Sequence, residues 1–211
     1  MPGLLLLLRH AQSEWNALGR WQGQADPPLS DEGRRQSVAA AARIEQQPWY
    51  SAFDLVASSD LARARETADL IAQSLGLEGS ALVDEGLREY DAGEWSGLTL
   101  TEIEARWPGE VERFTDGLVP SPPGGEDRRS FDTRIADTVR GLSAFADRAG
   151  AESLLVVTHG GVIGSVARSA GLPRLHIRHL AGYRGQHDGR GLSLIEPVDL
   201  LEQPELAAES A

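Results

Sequence analysis

The chain has 211 residues, 41% of them apolar, enough for a sizeable core and too many for a disordered polymer. Its formal net charge of -12 disfavours a polyanionic duplex as partner, so no nucleic-acid binding is expected. With no cysteine there is neither a disulfide framework nor a thiolate metal site, which fits a cytoplasmic protein.

The first predicted element is a run of five leucines at positions 4–8. A secretory leader needs a cationic start and about 7–15 apolar residues. Here only Met1, Pro2 and Gly3 precede the run and Arg9-His10 follows at once, so it reads as a strand buried on both faces. Nothing elsewhere approaches the ~20 apolar residues of a membrane span. A helix is expected over 31–46, with Ser30 as its cap and Asp31 and Glu32 in the first turn.

A second buried strand is predicted over 55–57, followed by a helix from about Asp60. In that helix Leu61, Ala64, Ala68, Ile71 and Leu75 recur at three and four residues, and Ser58 or Ser59 is the expected cap. Weaker strand signals lie at 81–83 and 192–195, and helical patterns at 99–106 and 131–148. The segment 119–125 is rich in Pro and Gly and is expected as loop. A third buried strand over 154–158 leads into a helix with an apolar stripe of Val162, Ile163, Val166 and Ala167, ended by Gly171 and Pro173. Strands alternating with helices predict an α/β three-layer sandwich with a mostly parallel central sheet. One domain over residues 1–200 is expected, with a frayed tail over 201–211.

Open α/β sheets bind ligands beyond the carboxyl ends of their strands. Three predicted strands end in reactive or anion-binding residues: Arg9-His10, Ser58-Ser59 leading to Arg63, and His159-Gly160-Gly161. A parallel sheet would bring two imidazoles and two guanidiniums to one edge. Arginine grips phosphate oxygens in pairs, and neutral imidazole is a good nucleophile toward phosphorus. Gly160 and Gly161 open a helix, whose free N–H groups favour negative charge. An acid/base is also needed, and the loop at 86–95 offers Glu89, Asp91 and Glu94, which the residues alone do not rank. No paired Asp/His spacing suggests a metal, no P-loop is present, and no cofactor is implied.

Together these blocks resemble the histidine phosphatase superfamily, which includes cofactor-dependent phosphoglycerate mutases and many phosphatases. "LLLLLRHAQSEWN" and "GRWQGQADPPLSDEGRRQ" are similar to its opening signature. "SSDLARARETAD", "LREYDAGEWSGLT", "PPGGED" and "VVTHGGVI" are similar to its later blocks. The resemblance implies a phosphoglycerate mutase-like fold and a phosphohistidine intermediate at His10. Arg9, Asn16, Arg63 and His159 would bind the transferring phosphoryl group, Gln22 and Gly23 would border the substrate, and Glu89 would be the acid/base. Ala11 stands where the family has glycine, and "GQHDGRGLSLIEP" lacks an expected asparagine, leaving open which group closes the pocket near 185–191. His176, His179 and His187 match no motif; the spacing of His176 and His179 could place them on one helix side, and they are read as surface residues.

Mutases of this superfamily carry an Arg-Arg insertion ahead of the proline-rich loop. Residues 97–120 have no such pair, and Arg128-Arg129 follows "PPGGED" instead. The expectation is therefore a phosphomonoester hydrolase acting on a small phosphorylated metabolite. A mutase is the alternative, and a non-catalytic phospho-ligand binding module a more distant one. No membrane partner is expected, and a homo-oligomer is left open.

Overall fold

The structure is a computed structural model that describes residues 2–77, 79 and 81–201. The tail expected over 201–211 therefore lies, from residue 202 on, outside the described residues. Six strands form one sheet: β1 (Gly3–Arg9), β2 (Leu55–Ser58), β3 (Leu82–Val83), β4 (Ser153–Thr158), β5 (Ala181–His187) and β6 (Leu192–Asp199). Their order is β3-β2-β4-β1-β5-β6. The first four run parallel, and β5 and β6 are antiparallel additions at one edge.

The leucine run explains the layering. Side chains alternate across a strand, so Leu5 and Leu7 face one side of the sheet while Leu6 and Leu8 face the other, all four fully buried. The first pair packs with Phe131 and Ile135 of α6 (Arg128–Ala149) and with Val162 and Ile163 of α7 (Gly160–Ser169). The second pair packs with Ala40, Ala41 and Ile44 of α2 (Asp31–Glu45) and with Ala64, Ala68 and Ile71 of α3 (Ala62–Ser74). This is the expected three-layer sandwich. Burying one leucine contributes about 1.5–3 kcal/mol, so the strand is anchored from both faces.

Beside the sandwich, the short helices α4 (Leu100–Arg106) and α5 (Glu110–Thr115) enclose Trp95 and Ile103 with Trp21, Trp107 and Phe114. A one-turn helix, α1 (Glu14–Ala17), follows β1. Residues 119–125 are turns and bends, as expected for the loop. Among the described residues no helix is long and apolar enough to cross a membrane.

Three features differ from the expectations or went unread. The cap of α3 is neither Ser58, which ends β2, nor Ser59. The N-cap position is Leu61, and the Ala62 N–H donates instead to Asp26 Oδ1 at 2.6 Å. An acid 36 residues away does the work that a local serine does elsewhere. Strand β5 was not expected, because "AGYRGQH" contains no apolar run. Its Gly182 lies so close to the β1 backbone that a Cβ would overlap the Leu7 carbonyl, so the residue that hides the strand also permits its pairing. Finally, His187 is not on the surface. It is buried in β5 opposite Gly3, with both ring nitrogens lacking a protein partner among the described residues.

Candidate active site

Because β1, β2 and β4 are parallel, their carboxyl ends share one edge, with Arg9 opposite Thr158 and Ser58 opposite Val157. The chain leaves β1 at His10, leaves β2 toward Arg63 in the first turn of α3, and leaves β4 at His159, the N-cap of α7. The cleft above this edge has a volume of about 790 Å³. Arg9, His10, Asn16, Gln22, Gly23, Arg63, Glu89 and Gly160 line it. His159 is fully buried, its ring centroid 5.2 Å from that of His10.

His10 is only 3% exposed and its ring is fixed at both ends. Nδ1 lies 2.6 Å from the Ala11 carbonyl, which can only accept, so Nδ1 carries the proton. Nε2 then holds the lone pair, and Arg63 Nε donates to it across a long 3.3 Å. Burial, with the charges of Arg63 and Arg9 and the neighbouring His159, holds the imidazole well below its ordinary range and therefore neutral. Ala11, at the family's glycine position, is fully buried and donates its N–H to Thr67 Oγ1 at 3.1 Å.

Arg63 is 1% exposed, and its fork is held by the main chain, Nη1 on the Ala25 carbonyl and Nη2 on the Gly23 carbonyl, both at 2.8 Å. Burial lowers it to about 10, so it remains cationic at neutral pH. Gly23 has φ +53° and lies against Ala92, where a side chain would overlap the backbone. Arg9 donates to the Ile177 carbonyl at 2.8 Å. Both ring nitrogens of His159 lack a protein partner among the described residues, and burial keeps this ring neutral too.

Asn16 accepts from the Ser13 N–H through Oδ1, and the single proton of the Ser13 hydroxyl is shared between Gln22 Oε1 at 2.7 Å and Asn16 Oδ1 at 2.9 Å. Neither amide nitrogen donates to protein among the described residues, so both remain available to a ligand.

Glu89 is held by the helix it faces. Its Oε2 accepts from the Gly161 N–H in the first turn of α7 at 2.9 Å, and Oε1 accepts from the Tyr90 N–H at 3.1 Å. Burial raises its pKa, outweighing those donors and the two arginines. Of the three loop carboxylates Glu89 alone lines the cleft. Asp91 accepts instead from the Gly93 N–H at 2.9 Å, capping a turn.

Two features went unread in the sequence. His179, expected on the surface, is half-buried with its ring centroid 6.0 Å from that of His10, and burial pulls it down to about 4. Its neighbour His176 is exposed, and neither lies in a helix. The cleft is also walled by residues from Leu172 to Ile177, together with Tyr183. The block at 185–191 does not close it: His187 pairs with Gly3, at the opposite end of β1. No group of three or more His, Cys, Asp or Glu residues that could hold a metal occurs among the described residues.

A neutral imidazole, two guanidinium forks, a buried carboxyl and amides open to a ligand meet at one sheet edge, the arrangement of an enzyme that transfers phosphoryl groups through histidine. The chain belongs to the histidine phosphatase superfamily (branch 1), whose pattern it matches over residues 5–187, and it is a phosphatase. It is 39% identical over 175 residues to the glucosyl-3-phosphoglycerate phosphatase of Mycolicibacterium vanbaalenii, covering 80% of this chain and 75% of that one. The structure resembles mycobacterial glucosyl-3-phosphoglycerate phosphatase in complex with VO3, with a TM-score of 0.70, 34% identity, and 87% and 92% of the two chains covered. The fold is also that of phosphoglycerate mutase from Bacillus anthracis, with a TM-score of 0.80 at 23% identity over 94% of each chain.

Proposed function

We propose that the chain, as one catalytic unit over residues 1–200, hydrolyses a small phosphorylated sugar or glycerate in the cytoplasm through a phosphohistidine at His10. The observation that carries this reading is the fixed tautomer of His10, whose Nε2 lone pair stands beside Arg63. An entering phosphoryl group replaces the long Arg63 contact. Nε2 attacks phosphorus as the ester oxygen leaves, and protonated Glu89 supplies the proton that oxygen takes. Glu89, now ionised, accepts a proton from water, whose oxygen attacks the phosphohistidine and releases inorganic phosphate. Arg9, Arg63, His159, Asn16 and the α7 N-terminus at Gly160 hold the phosphoryl oxygens, supplying the charge stabilisation that a metal supplies elsewhere. Gln22 and Gly23 border the substrate. The zero cysteine count supports the cytoplasmic assignment.

The test is a panel of sugar phosphates and phosphoglycerates with the purified protein, measuring phosphate release and isomer formation side by side, with and without chelator. Phosphate should appear in proportion to substrate consumed and survive chelation. A base-stable, acid-labile adduct should be trapped in the wild type and be absent from His10→Ala. Isomerisation outrunning phosphate release would move the enzyme to the mutases, and wild-type turnover in His10→Ala would end the phosphohistidine mechanism.

A further inference from the structure

The outer cleft differs in charge from the rest of the molecule. The chain has 32 acidic against 20 basic residues, yet among the described residues five arginines and one carboxylate, Glu89, line the cleft. Four of those arginines are already engaged. Arg9 and Arg63 sit at the phosphoryl site on main-chain carbonyls. Arg20 pairs with Glu102 at 3.2 Å, and Arg168 pairs with Asp132 at 2.7 Å. Arg174 is different: it is exposed and has no ion pair among the described residues. Its Nη1 donates to the Thr115 carbonyl at the end of α5 at 3.0 Å, which steadies the guanidinium and leaves Nε and Nη2 for a ligand.

Arg174 sits in a segment of irregular structure that is itself tied down. Arg9 holds Ile177 from below, and Arg174 reaches across to α5. The segment therefore stands over the cleft as a fixed wall, carrying a cation that forms no ion pair among the described residues. Within an acidic molecule, such a cation beside a phosphoryl site fits a substrate with a second negative group.

Resting on the phosphatase reading above, we infer that Arg174 is a specificity-determining residue that binds a carboxylate on the non-transferred part of the substrate, so that the preferred substrates are phosphorylated hydroxy acids. A guanidinium takes a carboxylate through two parallel N–H donors, and Nε and Nη2 are such a pair. The carboxylate stays bound through both chemical steps and leaves with the dephosphorylated hydroxy acid.

The experiment compares 3-phosphoglycerate with glycerol 3-phosphate, which differ by a carboxylate in place of a hydroxymethyl group, in the wild type, Arg174→Ala and Arg174→Lys. A charged hydrogen bond of this kind corresponds to about 10- to 100-fold in kcat/KM. The expected result is a wild-type preference for the carboxylate. Arg174→Ala should lose it by that factor through KM while glycerol 3-phosphate turnover is unchanged, and Arg174→Lys should recover part of it. Equal losses on both substrates would show that Arg174 only braces the wall against α5 and would overturn the inference, as would a wild type with no preference. If the wild type releases phosphate from neither substrate nor from p-nitrophenyl phosphate, the phosphatase reading itself fails first.

Discussion

At the scale of single residues, the proposed acid and the proposed nucleophile are set apart by the same cause acting with opposite sign. Burial disfavours charge, which keeps the His10 imidazole neutral and raises the pKa of the Glu89 carboxyl. In the proposed mechanism both shifts favour the form each group needs, the lone pair on His10 and the proton on Glu89. Glu89→Gln keeps the size and the hydrogen-bonding reach but removes the transferable proton. Turnover of alkyl phosphates should fall about 10²- to 10⁴-fold, whereas p-nitrophenyl phosphate, whose leaving group departs without a proton, should lose far less in the phosphorylation step. Equal losses on both substrates in single-turnover kinetics would remove Glu89 from the acid role. Arg9, His10, Arg63 and His159 could be named from the residues because each sits directly at a strand end or in the first turn of the next helix, whereas Asn16, Gln22 and Gly23 were reached, and Glu89 singled out, only through the family resemblance. His179 and Arg174 could not be named, since no periodicity or motif marks the segment that carries them.

At the scale of elements, the start of α7 does two things at once. Its first-turn N–H groups face the anion site, and Gly161 gives one of them to Glu89. A Cβ on Gly161 would overlap Glu89 Oε1, so the glycine is required by the carboxylate and not by its own backbone. Gly161→Ala should raise intrinsic helix propensity by up to about 1 kcal/mol and leave the fold intact. Turnover should nevertheless fall about 10²-fold, because the acid is displaced from its working position. Circular dichroism and steady-state kinetics on the same preparation check both halves, and wild-type turnover would mean that Glu89 does its work elsewhere. The same contrast runs through the other elements. The helix at 31–45 was legible from its Ser30 cap and acidic first turn and the helix at 62–74 from its apolar spacing, but the Asp26 cap and strand β5 were not, because both depend on partners far away in sequence.

At the scale of the whole molecule, four buried or half-buried histidines have their pKa values lowered by burial: His10, His159, His179 and His187. In the unfolded chain each takes up a proton near pH ~6.5, and in the folded protein each does so only at lower pH. Their contribution to stability is thus present above the unfolded value and is lost as pH falls below it, down to about 4 for His179. Glu89, raised by burial, acts in the opposite direction, but it is one group against four. Asp60, Glu102, Asp188 and Glu196, lowered mainly by hydrogen bonds to donors such as Arg88 and the Thr99 N–H, add further loss below the ordinary carboxylate range. The urea midpoint measured without phosphate should therefore fall between about pH 7.5 and about pH 5. A midpoint that holds or rises over that interval would show that the buried histidines are not held neutral.

The sequence by itself determined the layers and the edge that carries the candidate site. Continuous apolar runs specify buried parallel strands, period-3.6 stripes specify the helices that cover them, and parallel strands bring their carboxyl ends together. Those are local patterns, and the reactive residues sit at their boundaries. Only the tertiary structure decided what surrounds that edge: which carboxylate reaches α7, which carbonyls hold the arginine forks, and which wall faces the substrate. Those depend on contacts between residues far apart in the chain, such as Glu89 with Gly161, Arg63 with Gly23 and Arg174 with Thr115. Spacing along a sequence carries no record of such contacts, because they are fixed by how the layers pack and not by the period of any one element.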